Sequence, residues 1–218
     1  MTTRSLYRIG AVLLVVGAVL VTLANLLAPQ GDARAAVAST GYYPAAIVNL
    51  VGGLVLMAGW PAVYLYQRSQ SGRTGFVGFA IIMVSGMALT VGFPTILLLI
   101  YPWLSPLHIS NHTLDTGPVA FDVFFAATSG LVSLGGVVFG IATIRAHVFS
   151  RLLGRSFIVL SVASAILGFL SLPGGGGLHL SWWWGTTGTF GVVAYMIPLA
   201  WYGIELSLRL SPNATDTT

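Results

Sequence analysis

The sequence predicts an all-α fold, a polytopic transmembrane helical bundle of six spanning helices with both termini cytoplasmic. Three observations point there. Charged residues are 6% of the 218 positions and hydrophobic residues 56%, against roughly 25% and 45–50% in a soluble domain, which leaves too few polar side chains for a water-facing surface. Apolar runs of spanning length recur between short segments rich in Pro, Gly, Ser or Arg. Nearly all basic residues fall in alternate connections. Six spans of about 20 residues with their connections consume the chain, so residues 1–218 read as a single transmembrane domain.

The first run, near 7–28, follows Arg4 and Arg8. Its apolar core from Ile9 to Ala28 exceeds the roughly 7–15 residues of a signal-peptide core, which makes it a retained signal anchor. The second, near 44–66, carries Asn49, Gly52, Gly59 and Pro61 and leads into a basic turn at Arg68 and Arg73. The third, near 75–101, contains Pro94, and the fourth, near 118–144, carries Asp122 at its start and Gly136 and Gly140 further on. The fifth, near 153–172, holds Ser164 and Gly168, and the sixth, near 183–207, contains Pro198. Each internal proline removes a backbone hydrogen bond and predicts a bend. Small residues at these spacings let backbones approach where lipid supplies no hydrophobic driving force. Asn25 and Asn49 are expected to hydrogen bond between helices. Residues 53–68 also align with residues 130–145, Gly53, Gly59 and Arg68 meeting Gly130, Gly136 and Arg145, as a parallel repeat would place them.

Orientation follows from the arginines, since basic residues near helix ends stay preferentially cytoplasmic. Six helices starting inside put Arg4, Arg8, Arg68, Arg73, Arg145, Arg151, Arg155 and Arg209 on the cytoplasmic side and only Arg34 outside. Asp32, Asp115 and Asp122 fall outside, Glu205 and Asp216 inside. One arginine against three acids gives the outer face about −2, and eight against two give the inner face about +6. Tyr42, Tyr43, Tyr101, Trp103 and the run Trp182, Trp183, Trp184 are assigned to the outer interface, and Tyr7, Tyr64, Tyr66, Trp201 and Tyr202 to the inner one. The partner this pattern implies is the lipid bilayer, with a homo-oligomer or a partner membrane subunit open. Nucleic acid is excluded, because the arginines are scattered and no aromatic stacking platform lies between them. An Arg, Ala, Gly and Val bias suggests a GC-rich bacterial source and hence an inner (plasma) membrane.

Absent residues exclude chemistry. No cysteine means no thiolate catalysis and no Cys-ligated metal, and no lysine means no Schiff base to retinal or pyridoxal phosphate. Neither HExxH nor GxSxG occurs, and the glycine run at 173–177 lacks the Lys and Ser/Thr of a phosphate loop. No cofactor is expected. Two candidate sites remain. "HISNHTLD" at 108–115 spaces His108 and His112 four apart, so on a helix they would share a face and hold one metal with Asp115 and with His179 from another outer loop. Pro102, Pro106 and Pro118 bracket that stretch, and a solvated polar loop is the competing expectation. Asp122, a carboxylate inside the predicted span, is the candidate for transport or ion coupling, because burying it in lipid is costly without a wet cavity or a partner. Glu205 is expected to pair with Arg209 one turn on.

"LYRIGAVLLVVGAVL" in the first helix, the following "APQGDARAAV" and the "GGLVLMAGWPAVYLYQ" run resemble a group of uncharacterised six-helix bacterial integral membrane proteins of the domain-of-unknown-function type. The likeness is concentrated in the first third of the chain and implies the six-helix fold without carrying any catalytic residue. The expected function is therefore non-enzymatic, an accessory, sensory or structural bundle. Transport of a small or lipophilic solute and metal binding by the outer-loop histidines are the alternatives.

Overall fold

A computed structural model describes residues 3–29, 33–107, 119–170 and 186–211. All regular structure among them is helical. Helix α1 spans Thr3–Leu27, a short α2 spans Ala33–Ala38, and α3 runs from Tyr42 to Met87. Beyond Met87 the helix continues through two π-helical turns, Ala88–Gly92 and Ile96–Ile100, alternating with α4 (Phe93–Thr95) and α5 (Tyr101–Leu104). Then come α6 (Val119–Ala146), α7 (Arg151–Leu170) and α8 (Thr186–Arg209). Five helical stretches are long and apolar enough to cross a membrane, one of them the 63-residue run Tyr42–Leu104.

That long run corrects an expected loop between residues 66 and 75. The chain stays helical on both sides and leaves helical conformation only at Gly72 (φ 57, ψ −153). A side chain would make that conformation strained, so glycine alone closes the turn without a connecting segment. The two limbs fold back on each other: Tyr64 stacks on Phe79 with ring centroids 4.5 Å apart, Gly86 faces Met57, and Gly53 faces Thr90. These pairs keep one antiparallel register. In the α6–α7 hairpin Gly136 faces Ser161. Subtracting the 77-residue offset of the sequence repeat turns that pair into 59 and 84, which continues the register set by Met57 and Gly86. The turn between α6 and α7 also passes through a left-handed residue, His147 (φ 54).

Glycines set the remaining contacts. A Cβ added at Gly17 would stand 2.6 Å from Leu56 Cα, so α1 and the first limb of α3 touch backbone to backbone. The second limb meets α6 at Gly78 and Phe139, α6 meets α7 at Gly140 and Gly154, α7 meets α8 at Ser164 and Gly191, and α8 returns to α1 at Gly203 and Ala11. Each neighbour runs antiparallel to the last. The result is a closed ring of helical segments around Trp60, Phe139, Phe157 and Tyr202, all fully buried, while Leu27, Val84, Val159 and Leu208 stand exposed outside.

Three further expectations change. Pro61 lies within helix without a break, whereas Pro94 sits between the two π-helical turns, where wider turns accommodate its missing donor. Tyr42, Tyr101 and Tyr202, expected at the interfaces, are buried, and Tyr42 donates to Leu97 O at 2.7 Å. Asn25 donates to Val21 O in its own helix rather than to another helix.

Candidate functional site

The proposed metal ligands His108, His112, Asp115 and His179 lie outside the described residues, as do Trp182, Trp183 and Trp184. Among the described residues no group of three or more His, Asp or Glu could hold a metal ion. Asp122 lies in α6, three residues before Phe125 and seven before Ser129. Those two residues line the chamber described next.

The arginine-poor half of the ring surrounds a partly open cavity of ≈ 570 Å³. Its volume falls in the range of about 300–1,000 Å³ typical of small-molecule sites. Around the ring each helical segment contributes one neutral polar side chain to the wall: Asn25 from α1, Asn49 and Thr90 from the two limbs, Ser129 from α6, Ser164 from α7 and Thr189 from α8. No Arg, His, Asp or Glu is in the described lining. Between the polar groups the wall is Leu56, Leu89, Phe93, Phe125, Ile166, Phe169 and Met196.

Hydrogen bonding sets these six apart from several other hydroxyls of the bundle, although Ser71 and Ser161, outside the lining, are also unpartnered. Ser85, Thr95 and Thr128, which do not line the cavity, each donate to the carbonyl four residues back, the usual way a helix absorbs a hydroxyl. Among the described residues, the side chains of Asn49, Thr90, Ser129, Ser164 and Thr189 make no hydrogen bond to protein, and the Asn25 amide nitrogen is committed to Val21 O while its oxygen is not. Thr189 is only 8% exposed and Asn25 only 6%. None of these six contributes a fully buried, unpartnered polar atom; their polar groups reach the cavity space, where solvent or solute can bond them.

Between the chamber, past its lining residues Leu56 and Met196, and the arginine-rich end lies a floor of aromatic rings that do not themselves line it. Trp60 lies against Phe139, Phe157 and Tyr202 at centroid distances of 4.8, 5.9 and 5.7 Å, and Tyr195 reaches Phe157 at 5.5 Å and donates to Val132 O. Beneath the rings a polar chain resumes: Thr143 donates to Gln67 Oε1 at 3.2 Å and shares a 2.7 Å hydrogen bond with the Tyr202 hydroxyl. Gln67 Nε2, Ser71 Oγ and Trp60 Nε1 are buried without a partner. At the end, Glu205 accepts from Ser150 N and Oγ at 2.7 and 2.8 Å and pairs with Arg209 at 2.8 Å, the i,i+4 pair the sequence predicts. Arg4 and Arg8 close the same end by donating to Leu210 O.

The cavity was not legible in the sequence, where Asn25 and Asn49 read as inter-helix donors and Ser164 with Gly168 as a packing pair. The available signal was a neutral polar residue in every apolar run, but most runs carry several and the sequence does not mark which one reaches the cavity. The fold and site together define a class, a helical bundle of membrane-spanning character around a neutral chamber. No protein-family model, curated protein or solved structure matches the chain.

Proposed function

We propose that this is a non-enzymatic, multi-pass protein of a bacterial inner (plasma) membrane, and that it carries a small uncharged solute through its bundle. The two limbs of the Tyr42–Leu104 run are read as separate spans, giving six, with the arginine-rich end and both termini cytoplasmic. One observation carries the reading: the chamber wall has a neutral, unpartnered hydrogen-bonding group from every segment and no charge in its described lining. The wall accepts an uncharged polar molecule and penalises an ion, which would lose its hydration without gaining a counter-charge. Carriage is favoured over one-sided binding because unpartnered polar atoms, Gln67 Nε2 and Ser71 Oγ, resume below the aromatic floor. The floor divides a polar route into two halves.

The chain contains no cysteine, so single-cysteine variants report their sites without background. Ser164→Cys is expected to react with N-ethylmaleimide much faster than Ser161→Cys, which has a fully buried position on the same helix. Gln67→Cys, below the floor, is also expected to react as the floor opens in a transport cycle. Equal, negligible rates for Ser164→Cys and Ser161→Cys would sink the chamber reading. A reactive Ser164→Cys with an inert Gln67→Cys would replace the carrier with a one-sided binding protein.

A further inference from the structure

Resting on the chamber reading, we infer that the ligand is an uncharged amphiphile taken from the bilayer through one seam of the ring, between α6 and α7. These helices are in close contact through the arginine-rich half: Gly140 faces Gly154 and Ile158, and Gly136 faces Ser161. Past Ser161 the glycines of these two helices no longer press on the opposite helix. An added Cβ at Gly130 or at Gly168 would meet no atom within 4 Å, and both glycines line the chamber.

The other two boundaries of these helices stay shut at the same depth. The second limb of α3 holds α6, with Phe93 against Phe125 at 4.8 Å and Gly92 against Phe124. On the far side α8 holds α7: a Cβ added at Gly191 would stand 3.3 Å from Ser164 O and 3.4 Å from Leu167 Cβ. Of these three boundaries, only the α6–α7 seam is open at this depth. Its lips are apolar and face outward: Val123, Leu131, Ile166 and Phe169 are 61%, 46%, 54% and 62% exposed, while Ala126 and Gly130 between them leave an exposed gap with little side chain. Such lips suit lipid chains, not water.

The occupant's chemistry follows from what the seam and the wall share. An apolar chain fits the lips and the Leu, Ile, Phe and Met part of the wall, and a hydroxyl, ester or carbonyl head satisfies Asn49, Ser129, Ser164 or Thr189. A carboxylate or ammonium head meets no opposite charge in the described lining. The chamber's ≈ 570 Å³ is about 19 waters' share of liquid volume, room for a head and part of a chain but not a two-chain lipid.

The test uses the full chain in phosphatidylcholine nanodiscs with three probes of one length: dodecanol, dodecanoic acid and dodecylamine, each with a mid-chain diazirine. After illumination, mass spectrometry maps the adducts. The alcohol is expected to attach within residues 126–130 and 164–169 several-fold more than the acid or amine, and to lose that attachment in Gly130→Leu and in Ala126→Leu. Equal attachment of all three probes at those residues would overturn the uncharged class. Attachment confined to outward residues such as Val159 and Val162, unchanged in both variants, would overturn the seam. Failure of this inference separates from failure of the carrier reading through Ser164→Cys. If that cysteine reacts with a charged, membrane-impermeant thiosulfonate as fast as with N-ethylmaleimide, and dodecanol does not slow it, the solute enters from water while the chamber stands.

Discussion

Whether a glycine in this bundle tolerates a methyl group depends on what lies across from it. A Cβ added at Gly17 would stand 2.6 Å from Leu56 Cα and 2.8 Å from Gly52 O, backbone atoms that cannot swing away. Gly17→Ala is expected to destabilise by about 1–3 kcal/mol, the usual cost of overpacking. Gly130 faces open space, so Gly130→Ala should gain up to about 1 kcal/mol from helix propensity. Thermal midpoints of the two variants in one detergent check the opposite signs. Thr143 poses a second residue-scale question. Thr143→Val leaves Gln67 Oε1 buried without its donor and should cost about 1–3 kcal/mol. Adding Gln67→Leu removes the orphaned group, so the double variant should be less destabilised than the two single losses summed. Simple additivity in that cycle would show that the contact carries no coupling.

At the scale of an element, the α6–α7 turn is held by a carboxylate from a third helix. Ser150 precedes α7, its hydroxyl accepts from Leu153 N, and both its polar groups donate to Glu205 on α8. Glu205→Ala should therefore cost about 1–3 kcal/mol, since it strips two hydrogen bonds from a part-buried turn. Arg209→Ala should cost less than about 1 kcal/mol, because its side chain is 40% exposed and its ion pair and its contact over Phe149 are screened by solvent. The rank order, read from thermal unfolding, is the prediction. The sequence shows Arg209 as the partner of Glu205 because i,i+4 spacing is local. Ser150 lies 55 residues away and no local pattern joins the two.

For the whole molecule, the 63-residue Tyr42–Leu104 run has a testable consequence. A straight helix of that length would be about 95 Å long, three times the hydrocarbon thickness. The Gly72 turn folds it into two limbs, each long enough to cross the membrane once. In intact cells a membrane-impermeant maleimide added outside should label Thr40→Cys and leave Ser69→Cys unlabelled until the cells are opened. Both positions are exposed in the structure. Labelling of Ser69→Cys from outside would invert the orientation. The outer-loop histidines belong to this scale too, since ligands from two loops need the whole bundle to meet. If His108, His112 and His179 share a metal, purified protein carries near-stoichiometric zinc, iron or copper that His108→Ala with His112→Ala removes. Background metal in both preparations would return HISNHTLD to a solvated loop.

The sequence by itself determined the solvent of this protein and the rough bounds of its apolar segments. It also placed the arginines at alternate turns, and all of these are sums taken along one chain. Hydropathy needs no knowledge of neighbours, and the Glu205–Arg209 pair needs only the pitch of one helix. The tertiary structure decided everything that depends on a gap between helices. Gly130 and Gly136 look alike in sequence, yet one borders open space and the other a serine on α7. Asn25, Thr90, Ser129 and Thr189 are ordinary polar residues among several in their runs until the ring brings them to one wall. A cavity is the mismatch left among several packed surfaces, so it exists only once crossing angles and registers are set. A pattern read along one strand of sequence does not contain those quantities.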